Sequence, residues 1–471
     1  MARYEFVEGS SKKFWEIEVA GKEVTTKWGR IGTPGAFKTK TFPSPAAAQK
    51  EHATLVREKT TKGYKAVKAA KAKGGKAARE VTDAPQAMAG EPRMPSLEKT
   101  IRNDPDEDGP YTVYGDWLSE QGHPRGELVT AQVRGLTKQA TKLLKQHPSL
   151  WGDLAELSDV LTDVMWKNGF IAGAKVANTR DRNHEGDDPD RGLPSVEIAD
   201  VVGMLLDGPG RFLRDLVVGI VKFESNTYEA IAAAIAKRGP LPTVRSLYLG
   251  DFRSQETELN WSETGDLSKL WKAVPNLETL RLRSGTIALD KKLDLPALRE
   301  LSIYTGGLDE ASAKAIASAR WPTLVKLDLM FGRISEGAVD TARPLAALLE
   351  ARAVPALRWL GLKNFGFHAE LVPAILRSKV LKQLEVLDLS HGSMGDAEAE
   401  LLVAGKAQLA HLDELVVADN YFTAKGLKLL KQVGVRITAK TTGKRSWDVN
   451  AHGQREVEDD EDDDRYASIY E

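Results

Sequence analysis

The sequence predicts a multidomain chain: a small antiparallel β-sheet with one helix, then an α/β array of stacked repeats with a helical cap before it. Three observations predict this. Residues 3–42 alternate with the two-residue period of half-buried strands and run into one helical stretch. A pattern L-x-x-L-x-L recurs eight times between Leu213 and Leu412. The charge is split along the chain, although the net formal charge is only −1. Residues 1–80 carry eighteen Lys/Arg against eight Asp/Glu, and the remainder forty-eight against fifty-nine.

Size and composition set limits. A chain of 471 residues with 42% hydrophobic content can bury a real core. No run approaches the length of a membrane span, and "MARYEFVEGSSKKFWEIEVAG" has no apolar signal region. Cysteine is absent, which excludes disulfides and thiolate zinc sites and fits a reducing cytoplasm. A basic head on an acidic body points to a polyanion as the partner of the head.

The head reads as four strands, "YEFVEG", "KFWEIEVAG", "KEVTTKWGRIG" and "FKTKTF". The stretch "SPAAAQKEHATLVREKTTKGY" reads as a helix with Ser44 as N-cap, Pro45 at its first position and Gly63 as its stop. Ala48, His52, Leu55 and Val56 form its apolar face. Taken together, "KFWEIEVAGKEVTTKWGRIGTPGAFKTKTF" and "AAAQKEHATLVREKTTKGY" resemble a WGR domain over residues 1–66. The family occurs in poly(ADP-ribose) polymerases and in many bacterial proteins. In the polymerases the domain helps to bind DNA ends, with its tryptophan against a terminal sugar. The resemblance therefore implies a nucleic-acid contact at Trp28, Gly29 and Arg30. An indole offers a flat face for a ribose or base, and a guanidinium reads phosphate with a planar fork. Lys27, Lys38 and Lys40 lie on the flanking strands and supply further phosphate contacts. The alternative for Trp28 is core packing against Phe14 or Trp15.

Residues 67–95 read as a Lys/Ala-rich basic arm and a flexible linker. From 59 to 79 there are eight Lys/Arg and no acid. Residues 96–135 read as a helical cap module, with Ser96 capping one helix and Tyr111, Tyr114, Trp117 and Leu118 on the face of a second. This segment resembles a short bacterial module that accompanies leucine-rich or similar repeats. Asp104, Asp106 and Asp108 alternate, but no glutamate closes a calcium loop, so helix capping is the reading.

Residues 136–440 hold the repeats. Their starts are 21 to 33 residues apart, with helical stretches such as "EASAKAIASAR" between them. They resemble ribonuclease-inhibitor-type leucine-rich repeats, which implies one parallel strand and one outer helix per repeat, stacked into a curved solenoid. The turn asparagine of that family is clear only at Asn420; elsewhere glycines such as Gly250, Gly285, Gly306 and Gly392 take the bend. Alternation sends the leucines inward and leaves Tyr248, Arg281, Arg283, Tyr304, Asp328, Trp359, Lys363 and Asp388 on the concave surface. Aromatics and arginines there anchor interfaces, so a protein partner is expected at Tyr248, Arg281, Arg283, Tyr304, Trp359 and Lys363. Residues 441–471 form an acidic tail, read as disordered, with eight acids between Glu456 and Asp464.

No phosphate loop, nucleophile elbow or zinc-protease motif is present. The acidic "NHEGDDPD", residues 183–190, reads as a solvated loop rather than a cation site. The catalytic domain of the polymerases has no counterpart here, since repeats occupy its place. The sequence thus predicts a cytoplasmic, bacterial, monomeric adaptor without catalysis, cofactor, metal or membrane, binding nucleic acid at its head and protein on its repeats. The alternative is a protein–protein scaffold throughout.

Overall fold

The computed structural model describes residues 2–8, 11–30, 36–62, 64–66, 91–179, 196–223, 225–253, 256–289 and 293–439. The chain divides into two units, residues 1–87 and 88–471. The arm over 67–90, the acidic loop 183–190 and the tail from 441 lie outside the described residues.

In the first unit, β1 (Ala2–Glu8), β2 (Ser11–Ala20), β3 (Glu23–Arg30) and β4 (Ala36–Thr41) form an antiparallel meander. A two-residue strand, β5 (Lys65–Ala66), pairs with the outer edge of β1. It closes the head just before residue 67, where the basic arm is read to begin. Helix α1 (Pro45–Thr61) begins as its residues predict, because the Ser44 hydroxyl accepts from the Ala47 N–H at 3.2 Å. The helix covers one sheet face, where Trp15, Ile17, Val24 and Ala48 are buried and Leu55, Val56 and Trp28 pack beside them.

The second unit opens with four helices: α2 (Pro95–Asn103), α3 (Asp108–Glu120), α4 (Arg125–Val133) and α5 (Thr137–Gln146). Tyr111, Tyr114 and Leu118 are buried in one cluster with Phe170 and Phe212, and Trp117 packs against it. Two local readings are corrected. Met94, not Ser96, precedes the first turn of α2, and Ser96 lies inside that turn. The aspartates do not cap helix ends with their side chains. Asp106 pairs with Arg214, and Asp108 accepts from the Asn168 amide at 2.8 Å, so both tie α3 to distant segments.

An antiparallel hairpin follows, β6 (Leu161–Lys167) and β7 (Phe170–Val176). From β7 onward the large sheet is parallel. Its strands are β8 (Asp215–Val218), β9 (Asn226–Thr227), β10 (Ser246–Leu249), β11 (Ser262–Glu263), β12 (Thr279–Thr286) and β13 (Glu300–Gly307). It continues through β14 (Lys326–Met330), β15 (Trp359–Lys363), β16 (Val386–Asp388), β17 (Glu414–Val416) and β18 (Arg436–Thr438). Spatial order follows chain order from β6 to β18, with the short β9 and β11 off the main path. Helices such as α6 (Ile198–Asp207), α7 (Glu229–Lys237) and α8 (Glu310–Ser318) lie between strands in the chain. Leu280, Leu301, Leu327, Leu360 and Leu387 of the repeats are at most 2% exposed and belong to one continuous core.

The turns after the strands are held largely by hydroxyls. Asn420 donates to Leu389, Val417 and Ala418 carbonyls and accepts from the Met394 N–H at 3.1 Å. At earlier turns Ser262 accepts from Gly285 N–H, Thr264 from Ala288 N–H and Ser312 from Leu289 N–H. Gly332 at the matching position adopts φ +82°, and a Cβ there would strike the Gly306 carbonyl. No described helix is long and apolar enough to cross a membrane.

Candidate binding surfaces

On the head, β3 carries the tryptophan between Trp15 of β2 and Ala36 of β4 in register. Trp28 is half-buried and packs against the core cluster, while Phe14 belongs to the other sheet face, under the Arg3 guanidinium at 4.5 Å. Lys27 is half-buried and sits in register between Glu16 and Phe37. Lys40 is exposed, stands 5.0 Å from the Phe42 ring and reaches Glu51 at 3.6 Å. The backbone puts Gly29 opposite Phe14, Arg30 opposite Lys13 and Lys38 opposite Thr26. Residues 31–35, the turn itself, lie outside the described residues.

On the large sheet, alternation delivers the expected side chains to one face. A concavity of about 160 Å³ is lined by Tyr248, Arg281, Arg283, Tyr304, Asp328 and Lys363, with Met330 and Ser302. Five of the six residues expected to meet a partner therefore converge. Trp359 stands beside them and is not in the lining. Its indole lies over Gly361, where a Cβ would meet the ring at 2.6 Å. Lys326 and Lys363 flank the ring at 4.5 and 5.9 Å. Asp388 is a correction: it is buried, and its carboxylate accepts from the Ser390 N–H at 3.0 Å, closing its own turn.

Charge on this face is unevenly matched. Lys363 straddles the Asp328 carboxylate at 2.8 and 3.0 Å. Arg283 spreads over Phe252 and Tyr304 at 4.4 and 5.1 Å and donates to the Phe252 carbonyl. Arg281 is exposed, and neither arginine has an ion pair among the described residues. Burial pushes the Tyr248 and Tyr304 phenols up, so both are neutral hydroxyls across the physiological range. The surface offers hydroxyl donors, flat rings and two uncompensated guanidiniums. Lys326 escaped the sequence reading, although "LVKL" puts it at the repeat position that Trp359 holds in "LRWL".

A second group of charges is buried between the helices and the hairpin. Arg125, 1% exposed, donates to Glu91 at 2.8 Å and to the carbonyls of Gly169 and Leu150. Arg211 pairs with Glu91 and lies 3.5 Å from Glu98. Glu98 also accepts from Arg93, Arg102 and Tyr114. Burial acts to raise Glu91 and Glu98, but the guanidiniums outweigh it and hold both carboxyls below their ordinary range. Glu91 and Arg93, expected in the flexible linker, are thus fixed parts of this cluster. No group of three or more histidines, cysteines and carboxylates able to hold a metal occurs among the described residues.

Comparison with known proteins bears on the head. Residues 1–71 match the WGR domain model. Protein YehF of Escherichia coli K12 is 38% identical over 64 residues, 14% of this chain and 23% of that protein. The uncharacterized protein YfeS of the same organism is 34% identical over 62 residues, 13% of this chain and 25% of that protein. The chain thus spans about a quarter of the length of the curated relatives it matches. A crystal structure from Bacteroides fragilis is similar at TM-score 0.49 and 22% identity, over 93% of this chain and 95% of that one. The matched stretch contains the four-stranded meander, its covering helix and the Trp28-Gly29-Arg30 tripeptide: residues 1–71 are a WGR domain.

Proposed function

We propose that the chain is a non-enzymatic adaptor. The head binds nucleic acid through Trp28, Gly29, Arg30, Lys27, Lys38, Lys40 and the basic arm. The large unit is a leucine-rich-repeat solenoid with a helical cap, and its sheet face holds a protein. The observation that carries the nucleic-acid reading is a WGR domain within a region of eighteen cations and eight acids. The face reading rests on rings and uncompensated arginines converging at one concavity. A scaffold that meets only protein is the second reading, and the packing of Trp28 against its own core and of Lys40 against Glu51 favours it.

A titration of end-labelled linear DNA, alongside thermal melts, tests the first reading. Trp28→Ala removes a stacking contact worth about 1–3 kcal/mol, so binding falls roughly tenfold or more with the salt slope unchanged. Arg30→Ala weakens binding and lowers the salt slope by about one unit for one lost phosphate contact. Salt-independent binding sinks the nucleic-acid reading, and a Trp28→Ala head that no longer melts cooperatively, or equal binding to linear and circular DNA, sinks end recognition by Trp28.

A further inference from the structure

We propose that the chain's own acidic segment, Glu456–Asp464, docks on the basic and aromatic face around Arg281 and Arg283. This rests on reading that face as a binding surface and adds its occupant in cis. Three observations meet here. First, the face holds cations without counter-charge. Arg281 is exposed and Arg283 is stacked on two rings, each without an ion pair among the described residues. Lys326 adds a third cation, over Trp359 and opposite Glu300 of β13 in register. Second, the complement is in the same chain: eight carboxylates lie within the nine residues 456–464. Third, the reach is ample. Among the described residues, which stop at 439, the last strand of the large sheet is β18. From β18 to β12 is six strand steps, about 29 Å at 4.8 Å per step. The seventeen Cα steps from residue 439 to residue 456 span up to about 55 Å when extended.

Covalent attachment raises the effective concentration of such a segment to roughly the millimolar range, so weak contacts suffice to fill the face. A tail held there competes with any partner for the same face.

The test uses the full chain lacking residues 441–471 and a labelled peptide of residues 453–471. Expected is salt-sensitive binding by fluorescence anisotropy, weakened at least tenfold in Arg281→Glu/Lys326→Glu. Both residues lie on the outer face of the sheet, and a cooperative melt confirms that the variant folds. Arg281→Gln, which removes the charge alone, gives a smaller loss. No peptide binding overturns the proposal. So does binding that survives Arg281→Glu/Lys326→Glu and disappears when Lys68, Lys71 and Lys73 become glutamine, because the tail then belongs to the basic arm. A partner captured equally well with and without the tail sinks the cis contact while leaving the adaptor reading intact.

Discussion

Arg211 and Arg283 make the same local contact in two regions of the large unit. Each guanidinium carbon stands 4.4 Å from a phenylalanine centroid, Phe170 in one case and Phe252 in the other. Their surroundings differ. Arg211 is 5% exposed and answered by Glu91 and Glu98, while Arg283 is half-buried and answered by a carbonyl and a ring. An arginine on an aromatic ring therefore does not by itself mark a binding site. The counter-charge differs: where carboxylates are supplied from within, the cation joins segments of the chain, and where none is supplied, as at Arg283, the charge is left without an ion pair among the described residues.

Removing an answer from the buried cluster is the strongest way to break this comparison. Glu98→Ala removes the carboxylate that Arg93 and Arg102 pair with, leaves Arg211 with Glu91 as its remaining carboxylate, and takes the acceptor from the Tyr114 hydroxyl. The expected cost is about 3–5 kcal/mol, read from denaturant unfolding of the large unit. A cost below about 1 kcal/mol would mean that water already reaches these groups.

Acid sharpens the same contrast. Glu91 and Glu98 titrate lower in the fold than their ordinary value of 4.5, so their contribution is complete above that pH and is lost as pH falls through the lowered values. His123 acts in the same direction. Burial depresses its imidazole below 6.5, so protonation on the way down favours unfolding. Unfolding free energy should therefore decline progressively below about pH 6.5 and more steeply below pH 4.5. Glu98→Ala should flatten the acid limb. An identical limb in that variant would place the acid sensitivity elsewhere.

The smallest stability effect belongs to the open face. Arg281→Ala should move the unfolding free energy by no more than about 0.5 kcal/mol, because the exposed side chain has no ion pair among the described residues to lose. Trp359→Ala should cost about 1 kcal/mol, the scale of its contact with Lys326. Both should reduce partner capture by the large unit in a pull-down. Intact capture in Arg281→Ala would remove the arginine from the interface.

These contrasts also explain what the sequence made legible. The parallel strands and the outward positions of Tyr248, Arg281, Arg283, Tyr304 and Lys363 follow from local periodicity, which a one-dimensional reading captures. Trp359 is on the right face but settles over Gly361, a detail set by a residue two positions away. The buried cluster joins Glu91 to Arg125 and Arg211, 34 and 120 residues apart. No local pattern announces such pairs. For the same reason Asp106 and Asp108 look like helix caps in sequence, while their partners, Arg214 and Asn168, arrive from distant segments. On the head, charge pattern marks the arm, but β5 depends on the open edge of β1, which exists only after the meander has formed.

The order of strands in the large sheet has a mechanical consequence. At one end the antiparallel hairpin β6–β7 is tied to the helices through Phe170 and the ion cluster. At the other, β18 is three residues long and has one described neighbour, β17. Tension applied through the C-terminal segment meets β18 first and peels strands singly, each step breaking only one interface. Tension applied through residue 91 must first rupture a charged knot. Among the described residues the large sheet is therefore weaker toward β18 than toward β6.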